Sequence, residues 1–273
     1  MESQQNMIHP SAIVAPGARL GKGVKIGPFC TVGPRVALGD GVELVSHVVV
    51  DGPTQIGADV KLYPFCTVGL APQDLKYQGE ETETIIGPRT QIREHASIHR
   101  GTVTGAGVTR IGADCLLMAT VHVAHDCVVG DNVIMSNNVV LGGHVEVGAR
   151  AILGGAAALL QFVRVGTGAM VGGLTGVTRD VAPYCRVFGP RAELLGLNII
   201  GLSRRGVEKA QMHRISAAYK FIFTGPGIFA DRLAQARENF GADPYVAEML
   251  GFMLTPSRHG VITRLARAGD DEG

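Results

Sequence analysis

The sequence lacks several features that mark common protein classes. It has no Trp, only 5% aromatic residues, and a formal net charge of +1 from 25 basic and 24 acidic residues. Proteins that bind nucleic acid through phosphate contacts are usually more basic, which argues against that class. No apolar run reaches the roughly 18 residues of a membrane span. We therefore expect no nucleic-acid partner and no membrane span.

Cysteine pairs and a targeting segment are also missing. The five cysteines form no Cys-x-x-Cys motif and are odd in number, which argues against a disulfide framework. Residues 1–6 are polar and do not resemble a secretory signal peptide. These features predict a cytoplasmic protein.

Glycine is in excess, at 38 of 273 residues, and it belongs to a repeat. An aliphatic residue recurs at every sixth position over 8–68, again over 86–98, and after a one-residue slip over 111–177. A six-residue period is typical of parallel β-helices, in which three hexads form one triangular coil. We expect about nine coils, stacked at the roughly 4.8 Å spacing of neighbouring strands.

Four cysteines share one place in this repeat, two residues before the next aliphatic position. Because side chains alternate along a strand, this place also points inward. We therefore interpret these cysteines as small buried apolar residues rather than redox or metal groups. They are Cys30, Cys66, Cys115 and Cys127.

Two polar insertions, 69–85 and 101–110, interrupt the repeat. Such insertions usually leave a solenoid as loops, often on its binding face. The six-residue pattern ends near residue 190, and the later spacing predicts helices. We therefore predict a β-helix domain over 1–190 and a helical domain over 191–273.

The predicted helices cover residues 207–223, 230–239 and 243–254. Residues 191–267 contain 11 basic and 6 acidic residues. This excess fits either a solvated helical surface or a binding surface for an acidic protein.

Histidines cluster between residues 95 and 144. The 18-residue step of one coil stacks His125 with Gly143 and Gln161, and Asp126 with His144. Three interpretations stay open on the residues alone. His125 is a general base; or His122, His125 and His144 bind zinc; or the histidines are structural.

Four segments of the chain resemble the UDP-N-acetylglucosamine O-acyltransferases, a family of lipid A biosynthesis: residues 73–77, 98–103, 122–127 and 198–206. The resemblance covers nearly the whole chain. It implies a mainly β fold, a left-handed parallel β-helix followed by an α-helical C-terminal domain, and a homotrimer with active sites between subunits.

The reaction that the resemblance implies is the first step of lipid A biosynthesis. An (R)-3-hydroxyacyl group passes from acyl carrier protein to the 3-hydroxyl of UDP-N-acetylglucosamine. No metal or cofactor is implied, since the acyl group arrives on the phosphopantetheine of the carrier protein.

The resemblance also implies roles for single residues. His125 matches the general base, oriented by Asp126, and the N–H of Gly143 matches the oxyanion donor. Gly173 matches the position that measures acyl-chain length, where a missing side chain favours longer chains. The other matched substrate contacts are Gln73, Asp74, Lys76, His99, His122, His144, Gln161, Asn198, Arg204 and Arg205.

Alternatives remain beside this resemblance. A zinc hydratase of the γ-carbonic anhydrase type would use the same histidines as ligands, and a non-enzymatic scaffold would only bind partners. The N-acyltransferase that acts next in lipid A assembly carries an extra N-terminal domain. The hexads of this chain begin by residue 8, so we expect no such domain.

Overall fold

The computed structural model describes residues 5–266, and its strands form three faces around one axis. The strands, in chain order, are β1 (Met7–Ile8), β2 (Ile13–Val14), β3 (Arg19–Leu20), β4 (Lys25–Ile26), β5 (Thr31–Val32), β6 (Val36–Leu38), β7 (Glu43–Leu44), β8 (Val49–Val50), β9 (Thr54–Ile56), β10 (Lys61–Leu62), β11 (Thr67–Leu70), β12 (Glu83–Ile86), β13 (Gln91–Ile92), β14 (Ser97–His99), β15 (Val108–Ile111), β16 (Leu116–Leu117), β17 (His122–Val123), β18 (Val128–Val129), β19 (Ile134–Met135), β20 (Val140–Leu141), β21 (Glu146–Val147), β22 (Ile152–Leu153), β23 (Ala158–Leu159), β24 (Arg164–Val165), β25 (Met170–Val171), β26 (Gly176–Val177), β27 (Cys185–Phe188) and β28 (Glu193–Leu197). The first sheet takes every third strand from β1 to β25 and then β27 and β28. The second sheet runs in the same way from β2 to β26, and the third from β3 to β24.

Neighbouring strands within a sheet lie one coil apart and are parallel, except for the antiparallel pair β27–β28 at the end of the first sheet. In the first sheet Lys25 pairs with Glu43, and Ile26 pairs with Leu44. Ile26 and Leu44 are each 1% exposed, because alternate side chains of a strand point to opposite faces. The parallel β-helix predicted from the period is therefore confirmed. The left-handed winding stays a prediction from the resemblance.

The glycine that follows an aliphatic residue allows the coils to approach closely. A Cβ atom on Gly27 would lie 1.8 Å from the carbonyl oxygen of Val45, which no side chain can tolerate. The left-handed backbone conformation occurs elsewhere in the corners, including at Asp126, His144 and Phe162, with φ of 58°, 61° and 66°. Coil spacing, rather than positive φ, thus explains the glycines of this set other than Gly69, whose φ is 79°.

All five cysteines are free and buried. Burial raises the pKa of Cys66 and of Cys127 to about 12, so both thiols stay protonated near neutral pH. The interpretation of the repeat cysteines as interior apolar residues is confirmed.

The two insertions leave the prism at the same edge. Residues 71–82 join β11 to β12, residues 100–107 join β14 to β15, and both connections run from the second sheet to the third. The corners 124–127, 142–145 and 160–163 lie on this edge as well. We call these three corners and the two insertions the histidine edge.

Both insertions are shorter than the sequence predicted. Residues 83–85 belong to β12 and residues 108–110 to β15, where Glu83 pairs with Val108. In both cases the strand begins before the aliphatic residue of its hexad. The reason is that the third sheet continues across both insertions, so these residues already pair with its neighbouring strands.

Four helices follow the prism: α1 (Ile199–Arg204), α2 (Lys209–Thr224), α3 (Phe229–Phe240) and α4 (Pro244–Leu254). The three predicted helices are confirmed to within two residues, whereas α1 was not predicted. No helix in the described residues is both long enough and apolar enough to cross a membrane.

The predicted domain division at residue 190 falls between β27 and β28, which pair in antiparallel fashion. The division stays a prediction. The ends of the two predicted domains, residues 1–4 and 267–273, lie outside the described residues.

Candidate active site

His125 and Asp126 form a buried pair on the histidine edge. His125 Nδ1 lies 2.9 Å from Asp126 Oδ2, and the two residues are 8% and 5% exposed. Because an ionised carboxylate only accepts hydrogen bonds, Nδ1 of neutral His125 carries the proton. The basic nitrogen of the ring is therefore Nε2.

The second insertion wraps around the Asp126 carboxylate. Thr102 donates to it through Oγ1, at 2.6 Å, and through its backbone N–H, and the N–H of Gly107 donates at 3.1 Å. A Cβ on Gly105 would lie 2.4 Å from Asp126 Cγ, so the loop fits tightly. Burial raises the pKa of Asp126, but hydrogen bonds from Thr102 and His125 outweigh it and leave the pKa below its usual value. Asp126 is therefore ionised at neutral pH.

Thr102 was not singled out from the sequence. The only signal for it in the sequence was the insertion 101–110, where the repeat shifts by one residue because the chain leaves the prism. Which loop group reaches Asp126 depends on the folded path of residues 101–107.

The ring of His125 lies against Gly143. A Cβ on Gly143 would lie 2.7 Å from His125 Nε2, so any side chain there would displace the ring. The backbone N–H of Gly143 has no acceptor among residues 5–266. An unpartnered N–H beside a basic nitrogen is suited to stabilise a developing oxyanion.

His144 lies one coil from Asp126, with its Nδ1 3.9 Å from Asp126 Oδ2. Its ring makes an edge contact with His125, at 5.0 Å between centroids, and stacks on Phe162 at 4.3 Å. Burial lowers the pKa of His144, and the negative charges of Asp126 and Asp74 offset this only in part. His144 is therefore neutral near pH 7.

His99 and His122 lie where the second sheet meets the histidine edge. Their rings make an edge contact at 5.0 Å, and His122 Nδ1 lies 2.8 Å from Ser97 Oγ. Burial lowers the pKa of both, for His99 to about 4. His99 Nδ1 is buried without a partner in the described residues. These neutral rings can exchange hydrogen bonds with a polar ligand.

The first insertion carries Gln73, Asp74 and Lys76 to the same edge. Asp74 Oδ1 accepts a hydrogen bond from the backbone N–H of Lys76, at 3.0 Å, while the side chains of Gln73 and Lys76 are exposed. Exposed Gln161 lies on the same edge, one coil beyond Gly143. The edge therefore collects most of the predicted site.

Gly173 lies elsewhere, at the corner between the first and second sheets. A Cβ there would meet only the backbone of Gly155, with Gly155 O at 3.2 Å. Within one chain it is not brought to His125, because the repeat assigns the two residues to different edges.

Asn198, Arg204 and Arg205 lie near the third edge, between the third and first sheets. Asn198 Oδ1 caps α1 and its Nδ2 donates to Gly168 O, at 3.0 Å. The Arg205 guanidinium lies 5.2 Å from the ring centre of Tyr184. Arg204 is exposed. Asn198 is buried, whereas Arg205 is half-buried and its Nη1 has no hydrogen-bond partner in the described residues.

The possible metal ligands differ from the set considered on the sequence. Within residues 5–266, the donor atoms of His125, Asp126 and His144 lie within 4.8 Å of one another. His122, the third ligand in the zinc interpretation, is bonded to Ser97 instead. Asp126 already accepts hydrogen bonds from Thr102, Gly107 and His125, which a metal would have to displace.

A prism of hexads with a buried histidine–carboxylate pair at one edge defines a hexapeptide-repeat transferase. The sequence profile of the bacterial transferase hexapeptide matches residues 17–52 and 109–143, and that of UDP-N-acetylglucosamine O-acyltransferase, domain 2, matches residues 180–262. The chain belongs to the UDP-N-acetylglucosamine O-acyltransferase family, because proteins named for that activity are 46% and 50% identical to it over 92% and 90% of its length.

Similar proteins support this assignment along most of the chain. The acyl-[acyl-carrier-protein]–UDP-N-acetylglucosamine O-acyltransferase of Anaeromyxobacter sp. is 46% identical over 92% of this chain and 98% of its own. That of Azorhizobium caulinodans is 50% identical over 90% and 91%. The solved UDP-N-acetylglucosamine acyltransferase from Campylobacter jejuni is 35% identical, with a TM-score of 0.89 over 95% of this chain and 100% of its own.

Proposed function

We propose that this protein moves an (R)-3-hydroxyacyl group from acyl carrier protein to the 3-hydroxyl of UDP-N-acetylglucosamine, in the first step of lipid A biosynthesis. The observation that carries the proposal is the His125–Asp126 pair, which leaves His125 Nε2 beside the unpartnered N–H of Gly143. The names of its relatives support the two substrates.

In the proposed reaction, His125 Nε2 takes the proton of the sugar 3-hydroxyl as its oxygen attacks the thioester carbonyl. The new C–O bond forms, and the N–H of Gly143 stabilises the oxyanion, an effect typically worth about 10²–10³-fold. The C–S bond then breaks, and the His125 imidazolium gives its proton to the departing pantetheine sulfur. Asp126 stays ionised and stabilises the imidazolium.

The other residues of the histidine edge are proposed to position the substrates. Neutral His99, His122 and His144 have pKa values lowered by burial, so they can bond to sugar and acyl hydroxyls without a fixed charge. Gln73, Asp74, Lys76 and Gln161 are proposed to contact the sugar and the acyl group.

A homotrimer is part of the proposal, because Gly173 and Arg204 lie on other edges than His125. A neighbouring subunit would bring those edges to the cleft and exclude water from it. Arg204 is then the proposed nucleotide contact. Arg205, whose Nη1 has no hydrogen-bond partner in the described residues, is proposed as a second contact. Asn198, the cap of α1, is proposed to lie beside the nucleotide.

The donor is proposed to dock on the helical domain, where the 11 basic and 6 acidic residues of 191–267 give a basic excess that suits an acidic carrier protein. No metal or cofactor takes part in this proposal, and the protein acts in the cytoplasm. The phosphopantetheine of the carrier supplies the activated acyl group.

The test is an assay of purified protein with UDP-N-acetylglucosamine and 3-hydroxyacyl carrier protein, in which acylated nucleotide sugar should form. His125→Ala should lower kcat by about 10²–10⁴-fold. The matched control is His47→Ala, an exposed histidine between Phe29 and Phe65 on another edge. Comparable turnover of His125→Ala would contradict the assigned base. Activity lost with chelator, together with stoichiometric zinc, would favour the hydratase class instead.

A further inference from the structure

Arg258 lies in a segment that follows α4 and returns to the histidine edge. His259 Nε2 donates to Gln161 O at 2.8 Å. On the other side, Asp180 N donates to Gly260 O and Ile262 N donates to Asp180 O, each at 2.9 Å. The backbone around Arg258 is therefore attached to the prism at two places.

The Arg258 guanidinium ends a column of stacked rings. Its Cζ lies 4.3 Å from the centre of the Phe162 ring. That ring is stacked on His144, with 4.3 Å between centroids and 5° between planes. His144 in turn contacts the edge of the His125 ring. The column thus connects an exposed cation to the proposed general base.

This arrangement holds the guanidinium in place without using its hydrogen-bond donors. Stacking on an aromatic face leaves the N–H groups at the guanidinium rim open. No carboxylate among residues 5–266 forms an ion pair with Arg258, and its side chain is exposed. Two other exposed arginines do have such partners: Arg89 pairs with Asp114, and Arg264 with Glu193.

The positive charge of Arg258 also affects the pKa of a site residue, His144. The pKa of His144 is lowered mainly by burial, and the positive charge of Arg258 lowers it further. A fixed, unpaired guanidinium at the mouth of a catalytic edge is suited to hold an anionic group of a substrate.

We propose that Arg258 binds a phosphate group of an incoming substrate, with its guanidinium held flat on Phe162. The inference rests on the proposed function, in which both substrates carry this chemistry. The acceptor has a nucleoside diphosphate, and the donor has the phosphodiester of its phosphopantetheine. A planar guanidinium can bind either by two parallel N–H···O bonds.

Steady-state kinetics of Arg258→Ala and Arg258→Lys test the proposal. Charge-assisted hydrogen bonds of this strength correspond to about a 10- to 100-fold rise in the KM of the phosphate-bearing substrate in Arg258→Ala. The change in kcat should be small. Lys should recover only part of the loss, since it keeps the charge but not the fork geometry. Arg89→Ala, with its guanidinium paired to Asp114, is the matched control and should leave both KM values unchanged.

An acyl donor without phosphate shows whether Arg258 binds the phosphate of the donor or the diphosphate of the acceptor. The assay is repeated with (R)-3-hydroxyacyl-pantetheine and with its 4′-phosphorylated form. If Arg258 holds the donor phosphate, the variant and wild type should have equal KM values for the unphosphorylated donor only. If it holds the diphosphate, the KM for UDP-N-acetylglucosamine should rise with both donors.

Unchanged KM values for both substrates in Arg258→Ala would overturn the inference, and so would a loss confined to kcat. Thermal unfolding of both variants checks that the fold is kept, and Arg258→Lys supplies the comparison if the Ala variant is less stable. An inactive wild type would refute the proposed function itself. An active wild type with an unaffected variant would refute only the role of Arg258.

Discussion

Replacing Thr102 by Val tests how the histidine edge holds its buried carboxylate. Thr102 Oγ1 donates to Asp126 Oδ2 at 2.6 Å, and the Asp126 side chain is 1% exposed. Val keeps the shape of Thr but cannot donate. A hydrogen bond to a charged group contributes about 1.5–3 kcal/mol. We expect the free energy of unfolding to fall by about that amount at pH 7.

Because Thr102 bonds to a carboxylate that titrates, the loss of stability in Thr102→Val depends on pH. Burial raises the pKa of Asp126, but the bonds from Thr102 and His125 leave it below its usual value. Such a group contributes stability that is complete above the unfolded pKa, about 3.9, and is lost as the pH falls through the folded pKa. Thr102→Val reduces this contribution. The difference in free energy of unfolding between the variant and wild type should therefore become smaller below about pH 4.

The measurement is urea unfolding near pH 7 and about pH 3, at one protein concentration because an oligomer unfolds with a concentration-dependent midpoint. Thr84→Val is the matched control. Thr84 is fully buried, and its hydroxyl has no partner in the described residues, so its loss should leave stability unchanged or raise it. An equal loss for Thr102→Val at both pH values would refute the reasoning, since the hydroxyl would then act through packing alone.

Two further predictions concern His99 and Gly173. Burial lowers the pKa of His99 to about 4, so the unfolded chain binds more protons between about pH 4 and 6.5 and the protein loses stability as the pH falls through that window. His99→Gln should weaken the pH dependence of the unfolding midpoint in that window. An unchanged pH dependence would contradict the prediction. Gly173→Met should shift donor preference to shorter acyl chains and lower the thermal unfolding midpoint modestly, because its Cβ would lie a tight 3.2 Å from the backbone oxygen of Gly155, which must shift slightly. If the variant and wild type prefer the same acyl-chain length, Gly173 is not the position that measures it.

Periodicity carried most of the fold prediction. The hexads predict which residues face the axis, and the 18-residue step predicts that Gly143 lies beside His125, as it does in the structure. The helices were found from their apolar spacing to within two residues. The short helix α1 was missed. Its start depends on the cap made by Asn198, whose side chain also binds Gly168 O.

The sequence by itself therefore determined the repeat, the edge that carries the histidines and the pair His125–Asp126. A repeat is a local pattern, and each coil contacts mainly its neighbours, so register follows from counting. Tertiary structure alone decided that Thr102 encloses Asp126, that Asn198 is a helix cap, and that Arg258 returns to stack on Phe162. These contacts join residues across loops or from opposite ends of the chain, where no period relates their positions, and only the folded path brings them together.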